Sequence, residues 1–187
     1  MAADGKVRLL FVNSMTERKG PDHLVAALAL LPAAVRERLR VTMVGDGPLR
    51  ERLEAQARAA GLDIRFPGAK PYGELGQWYG DADVLAIPSL ADYRSLAGFE
   101  GLAYGLALIA SRHDGATRET VIEGETGFAI EPTDHAGIAA AITRLVEDPA
   151  LLARFRAGAA ALYAERFSVE RIAANLAESV ELALART

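Results

Sequence analysis

Short apolar runs alternate with amphipathic stretches along the whole chain. Residues 7–12 (VRLLFV) are almost continuously apolar, the pattern of a strand covered on both faces. Residues 21–31 follow with helical spacing. Pro21 suits a first helical turn, where its missing N–H would have no partner anyway. Residues 41–44 (VTMV) predict a second strand, and the charged, Ala-rich stretch 48–60 predicts a helix. Gly61 would stop that helix, because glycine enters a left-handed C-cap most easily. Residues 64–66 predict a third strand, 72–80 a helix and 84–87 a fourth strand. Residues 96–104 read as a helix ended by Gly105. Residues 106–110 make a fifth strand, and 127–130 a sixth behind the turn Glu123-Gly124-Glu125-Thr126. Three helices close the chain, at 133–147, 150–164 and 168–185. Asp148-Pro149 breaks the first from the second, and Ser168 is a good N-cap for the third.

Strands that alternate with helices need crossover connections. The pattern therefore implies an α/β fold: a Rossmann-like, doubly wound parallel six-stranded sheet with C-terminal helices. No internal repeat, low-complexity tract or linker divides it, so residues 1–187 read as one domain. Ligands of such sheets bind beyond the carboxyl ends of the strands, near a topological switch point. The segments to inspect are 13–20, 45–48, 68–71, 88–98 and 111–119.

Composition narrows the field. The 187 residues carry 21 basic and 25 acidic side chains, a net charge of −4, which speaks against a nucleic-acid partner. The absence of cysteine removes disulfides, thiolate metal sites and a cysteine nucleophile, and it fits a reducing compartment. No apolar run approaches the roughly 20 residues of a transmembrane segment. The first apolar run lacks a small-residue cleavage site and reads as a strand rather than a signal peptide. The expected location is cytoplasmic. His23, His113 and His135 fall at no metal-ligand spacing, and neither a metal nor another cofactor is expected.

Two motifs follow strands. GDGPLR at 45–50 starts like a dinucleotide fingerprint, but Arg50 replaces the third glycine, where close helix–strand packing needs a small residue. The third strand also ends in Phe66-Pro67-Gly68, without an acid to hold a ribose. This turn is either a plain strand-to-helix connection or a backbone surface beside a nucleotide. The richer motif is PSLADYRSLAGFEGLAYGLALIAS at 88–111. Asp92 lies in a post-strand loop, and Glu100 follows eight positions later among Leu96, Ala97, Phe99, Leu102 and Ala103. A carboxylate buried there without a partner would cost several kcal/mol. The partner is either a neighbouring Lys, Arg or backbone amide, or the hydroxyls of a ligand.

This segment resembles the E-x7-E region of nucleotide-sugar-dependent glycosyltransferases of group 1, family 4, which have the two-domain GT-B architecture. Pro88, Ser89, Asp92, Glu100 and Gly105 fall in register with it without a gap. The resemblance extends to Lys19-Gly20, the GDGP turn at 45–48, Gly68, Ala82-Asp83 and the series Glu119, Gly124, Gly127. It implies that Lys19 contacts the donor's phosphates and Glu100 its ribose hydroxyls. It also implies that Asp92 faces the transferred sugar together with loop amides at Ser95, Leu96 and Ala97. Gly68, Ala69 and Lys70 would lie against the base, with Ser14 and Gly45 lining the donor site.

The departures are specific. Asn13-Ser14 stands where the family has Gly-Arg, so one cationic phosphate ligand is missing, and Arg18 is either its substitute or a solvated charge. Asp92 is one methylene shorter than Glu. Tyr93-Arg94-Ser95 replaces a Gly-Phe-Gly loop, where side chains could obstruct a sugar. Ala107 replaces a proline. Glu119 either accepts amides of the loop after Ser111 or opens a short helix, and His113 reads as a solvated loop residue.

The resemblance implies that this chain is the C-terminal, donor-binding half of a retaining enzyme of the hexosyltransferase type. Its substrate would be a nucleotide diphosphate sugar. Its partner would be an N-terminal acceptor domain, which would also carry any peripheral contact with a membrane. The start just before the first strand reads as a domain boundary. The apolar stripe Val169, Ile172, Ala173, Leu176, Val180 and Leu184 would need a cover. The alternative is a non-catalytic stand-alone nucleotide-sugar-binding or assembly module of the same fold.

Overall fold

The computed structural model describes residues 5–184. Six strands, β1 (Val7–Val12), β2 (Leu39–Val44), β3 (Ile64–Gly68), β4 (Val84–Ile87), β5 (Ala107–Ser111) and β6 (Gly127–Ile130), form one parallel sheet. Their order is β3-β2-β1-β4-β5-β6. The chain thus winds outward from β1 in one direction and, after returning to β4, outward in the other. The doubly wound arrangement expected from the alternating pattern is what forms.

Both faces of the sheet are covered, which explains the continuous apolar runs. Val7, Leu9 and Phe11 of β1 enter one core with α1 (Pro21–Ala29), α2 (Ala33–Glu37), α3 (Arg50–Ala59) and α7 (His135–Glu147). Leu10, Leu85, Ile87, Leu108 and Ala110 enter the other, under α4 (Leu75–Gly80) and α5 (Leu96–Ala103). The period of two along each strand assigns alternate residues to opposite layers. Complete burial of each such leucine is worth about 1.5–3 kcal/mol. The helix α8 (Pro149–Leu162) crosses the sheet edge: Leu151, Leu152 and Phe155 join the first core, Ala159 and Leu162 the second.

Helix starts follow local chemistry. Asp134 accepts the Gly137 amide at 2.9 Å, and Asp148 accepts that of Leu151 at 2.9 Å ahead of Pro149. Ser168 receives the Arg171 amide at 3.2 Å, the N-cap expected of it.

Several boundaries differ from expectation. α1 ends at Ala29 rather than 31. α2 was not foreseen, since five residues with Val35 alone buried carry no readable period. β2 begins two residues early, β3 runs two residues longer, and β5 is shifted by one. The stretch 48–60 forms its helix only from Arg50, and Gly61 takes the left-handed φ of +63° expected of a cap. α8 passes into a π-helical turn, Tyr163–Phe167, before α9 (Val169–Leu184). Residue 185, the expected end of that helix, lies outside the described residues. No residue of α9 is buried, so the stripe Val169, Ile172, Leu176, Val180 and Leu184 is exposed rather than covered.

Candidate functional site

The topological switch falls between β1 and β4, and the loops leaving these strands are clasped together. An ideal Cβ on Gly20, at φ +64°, would lie 2.0 Å from the carbonyl oxygen of Pro88, so only glycine allows the approach. The Leu90 amide donates to the Arg18 carbonyl at 2.8 Å. This clasp brings Lys19 and Arg18 to Asp92. Lys19 Nζ donates to Asp92 Oδ2, and Arg18 Nη1 reaches the same oxygen at 3.2 Å and the Ala91 carbonyl at 3.1 Å. The side chains of Lys19 and Asp92 are only 10% and 12% exposed. Burial opposes the Asp92 charge, but Lys19 and then Arg18 outweigh it and hold its carboxyl below the ordinary value.

The loop that begins at Asp92 is latched to the loop after β5. The Asp92 amide donates to the His113 carbonyl, and the Gly115 amide to the Asp92 carbonyl, each at 3.1 Å. Buried Asp114 accepts the amides of Ser95 at 3.2 Å and Ala116 at 2.9 Å, and also the Ser95 hydroxyl. The Ser95 amide, expected to face a sugar, is therefore engaged by Asp114. Leu96 and Ala97 open α5 without a side-chain cap; Leu96 is exposed and Ala97 buried. Glu119 lies in the first turn of the short helix α6 (Thr117–Thr120), the second of its two expected roles. It forms a two-pronged pair with Arg94 at 2.7 and 2.9 Å, which holds its carboxyl below the ordinary value. Tyr93 is 95% exposed, and Arg94 lies over the Phe99 ring. His113 pairs with Glu131 at the surface. Asp114 is the site residue that sequence reasoning missed; an acid followed by glycine in a post-strand loop was its only signal.

Glu100 belongs to a separate pocket of about 260 Å³ between α4 and α5, shared with Tyr72, Gly76, Tyr79 and Tyr104. Gly101 presses α5 onto the sheet: a Cβ there would come within 2.8 Å of Leu85 and 2.9 Å of Leu108. Glu100, one residue earlier, is half-buried rather than enclosed. Its internal partner is none of those anticipated. The Tyr79 hydroxyl donates to Oε2 at 2.6 Å. The negative charge of Glu100 in turn raises the Tyr72 phenol above its ordinary value.

The post-β2 and post-β3 turns also meet. The Gly45 amide donates to the Gly68 carbonyl at 3.0 Å. Gly45 has φ +137° and packs so closely on Asn13 that a Cβ would lie 1.9 Å from its oxygen. Arg50, at the position of the missing third glycine, reaches the Phe66 carbonyl at 3.3 Å and pairs with Asp46 and Glu54. It ties the turn to β3 instead of clearing space for a pyrophosphate. Ser14 is exposed and donates its amide to its neighbour Asn13; Ala69 is exposed and Lys70 half-buried. Among the described residues no three His, Asp or Glu side chains could hold a metal ion, and no helix is long and apolar enough to cross a membrane.

The sequence model of the family described as glycosyl transferases group 1 matches residues 2–161. The chain belongs to this family. Membership bears out the group 1 resemblance read from the Asp92–Glu100 segment. A D-inositol 3-phosphate glycosyltransferase of Arthrobacter sp. (strain FB24) is 34% identical over an alignment of 185 residues that covers 96% of this chain and 44% of that protein. Sucrose-phosphate synthase of Thermosynechococcus elongatus superposes with a TM-score of 0.82 at 28% identity, over 100% of this chain and 47% of that one. Anabaena Alr3699/HepE, solved with UDP, has the same fold at a TM-score of 0.81 and 24% identity, over 95% of this chain and 49% of that one. This group 1 domain thus spans less than half the length of those three proteins.

Proposed function

We propose that this domain binds the nucleotide diphosphate sugar of a retaining, family 4 glycosyltransferase and, with an acceptor-binding domain, transfers a hexosyl group. The observation that carries this reading is the meeting of Lys19, Arg18 and Asp92 where the loops of β1 and β4 converge at the switch point. In this reading Lys19, with Arg18, binds the diphosphate, and the first-turn amides of α5 at Leu96 and Ala97 add donors. Asp92 faces the sugar, and Glu100 takes the ribose hydroxyls. The backbone at Gly45, Gly68, Ala69 and Lys70, beside Ser14, borders the base.

Calorimetry with UDP, GDP and ADP tests the reading; UDP is the nucleotide bound by the Anabaena protein of the same fold. With one cationic ligand fewer and the donor site open on one side, the best of them should bind with a Kd of roughly 0.1–1 mM. Lys19→Ala should weaken it at least fivefold. Affinity unchanged by Lys19→Ala would remove the phosphate assignment, and a sub-micromolar Kd would show that no second domain is needed to complete the site.

One observation favours the second reading, a binding or assembly module without transfer. The Ser95 amide and hydroxyl are both engaged by Asp114, which leaves the sugar loop poorer in open donors. No binding of any nucleotide by the unmodified chain would favour the assembly module.

A further inference from the structure

Glu100 does not stand alone in its pocket. Tyr79, only 2% exposed, projects its ring from the C-terminal turn of α4 into the core that contains Leu85 and Leu102. Its hydroxyl emerges at the pocket, 2.6 Å from Glu100 Oε2. Tyr104, which follows α5, stacks on the Tyr79 ring with centroids 5.5 Å apart and planes 15° apart. The Tyr104 hydroxyl lies over Gly76, where a Cβ would come within 2.6 Å of it. Three tyrosines thus surround one carboxylate: the buried one donates to it at 2.6 Å, and Tyr72 feels its charge and hydrogen bonding. Burial, and then the Glu100 charge, push the Tyr79 phenol far above the range in which it ionises, so it remains a donor at every working pH.

A glutamate side chain has many rotamers, and their restriction opposes any ligand that needs one of them. An ionised carboxylate offers about four acceptor positions, and one phenol uses one of them. We infer that Tyr79 is a positioning residue: its buried hydroxyl fixes the Glu100 carboxylate so that the remaining acceptor positions meet the vicinal diol of a ribose. The inference rests on the reading of Glu100 as the ribose acceptor. It adds that recognition of the diol depends on a core tyrosine of α4 that need not touch the nucleotide. The ring is held by packing and stacking, so Tyr79→Phe removes the hydroxyl and leaves the shape.

The test compares binding of UDP and 2′,3′-dideoxy-UDP to the unmodified chain, Tyr79→Phe and Glu100→Gln, with a melting temperature for each. The unmodified chain should prefer UDP at least tenfold. Glu100→Gln should abolish most of that preference, and Tyr79→Phe should reduce it at least fivefold while the dideoxy ligand binds as before. A merely structural tyrosine would weaken both ligands equally, and that result would overturn the inference. So would an undiminished preference in Tyr79→Phe when Glu100→Gln has lost it, an outcome that leaves the Glu100 reading intact. A preference undiminished by Glu100→Gln, or no preference in the unmodified chain, would overturn the Glu100 reading and the inference with it.

Discussion

Asp92 competes for the charge that a phosphate would need. Two cations converge on its Oδ2, and Lys19 is nearly buried beside it. Unit charges about 4 Å apart interact by about 1–4 kcal/mol between bulk water and a protein surface. A diphosphate entering here must therefore displace or share an internal anion. Asp92→Asn should tighten UDP at least threefold in calorimetry and weaken UDP-glucose relative to UDP, since the sugar loses its acid. Loss of UDP affinity would instead show that Asp92 is needed to hold Lys19 in place. The family resemblance singled out Lys19 and Asp92, and that both belong to loops following strands was legible in the sequence. Their mutual pairing was not, because the clasp depends on Gly20 lying against Pro88, a contact between segments about 70 positions apart in a fold where such pairings are set by topology. Tyr79 escaped for a similar reason. A tyrosine late in an apolar helix reads as core, and only the packing of α4 beside α5 turns its hydroxyl toward Glu100.

Among the elements, β1, β4 and α8 are joined by one buried acid. Asp83, fully buried just before β4, accepts the Arg8 amide and guanidinium at 3.0–3.1 Å and Arg156 Nη1 at 3.0 Å. Burial opposes its charge, but the hydrogen bonds of Arg8 and the charges of Arg8 and Arg156 outweigh it, and its carboxyl is lowered from 3.8. A depressed folded value means that the ionised form stabilises the fold above the unfolded carboxyl range. That stability is lost as pH falls through the folded value. Asp83→Asn should cost about 3 kcal/mol at neutral pH, because two arginines lose their anionic partner and one of its two acceptor oxygens becomes a donor, and lower the melting temperature by about 6–12 °C. The gap between variant and unmodified chain should narrow below about pH 4. A gap that persisted undiminished to pH 2 would show that hydrogen bonding rather than charge holds the junction. The type of the strands and their places along the chain were legible because strands buried on both faces need continuous apolar runs. Shorter features were not. α2 buries only Val35, and the one-residue shift of β5 leaves the apolar pattern of Ala107–Ser111 almost unchanged. Such boundaries depend on tertiary hydrogen bonds that local pattern does not encode.

At the scale of the whole molecule, α9 lies exposed and the loops of the site face outward. α9 buries none of its described residues, so the cores should hold without it. Removal of residues 169–187 should move the melting temperature by no more than a few degrees, and a large drop would mean that the helix packs back on the domain in solution. Activity follows a different argument. Holding two reactants in a productive geometry supplies about 7–11 kcal/mol of a transfer barrier, and that requires a surface for each reactant. The strand-end loops and the first turn of α5 offer one surface, and it faces outward: Tyr93 is 95% and Leu96 65% exposed. The chain spans only 44% of the Arthrobacter protein's length. Incubated alone with UDP-glucose and sugar or polyol acceptors, the 187-residue chain should release UDP no faster than a blank even at millimolar donor. A chain carrying Lys19→Ala should be indistinguishable from it. Release of UDP that requires an acceptor and disappears with Lys19→Ala would show that these loops hold both reactants, and the assignment of this chain as the donor half would then fail.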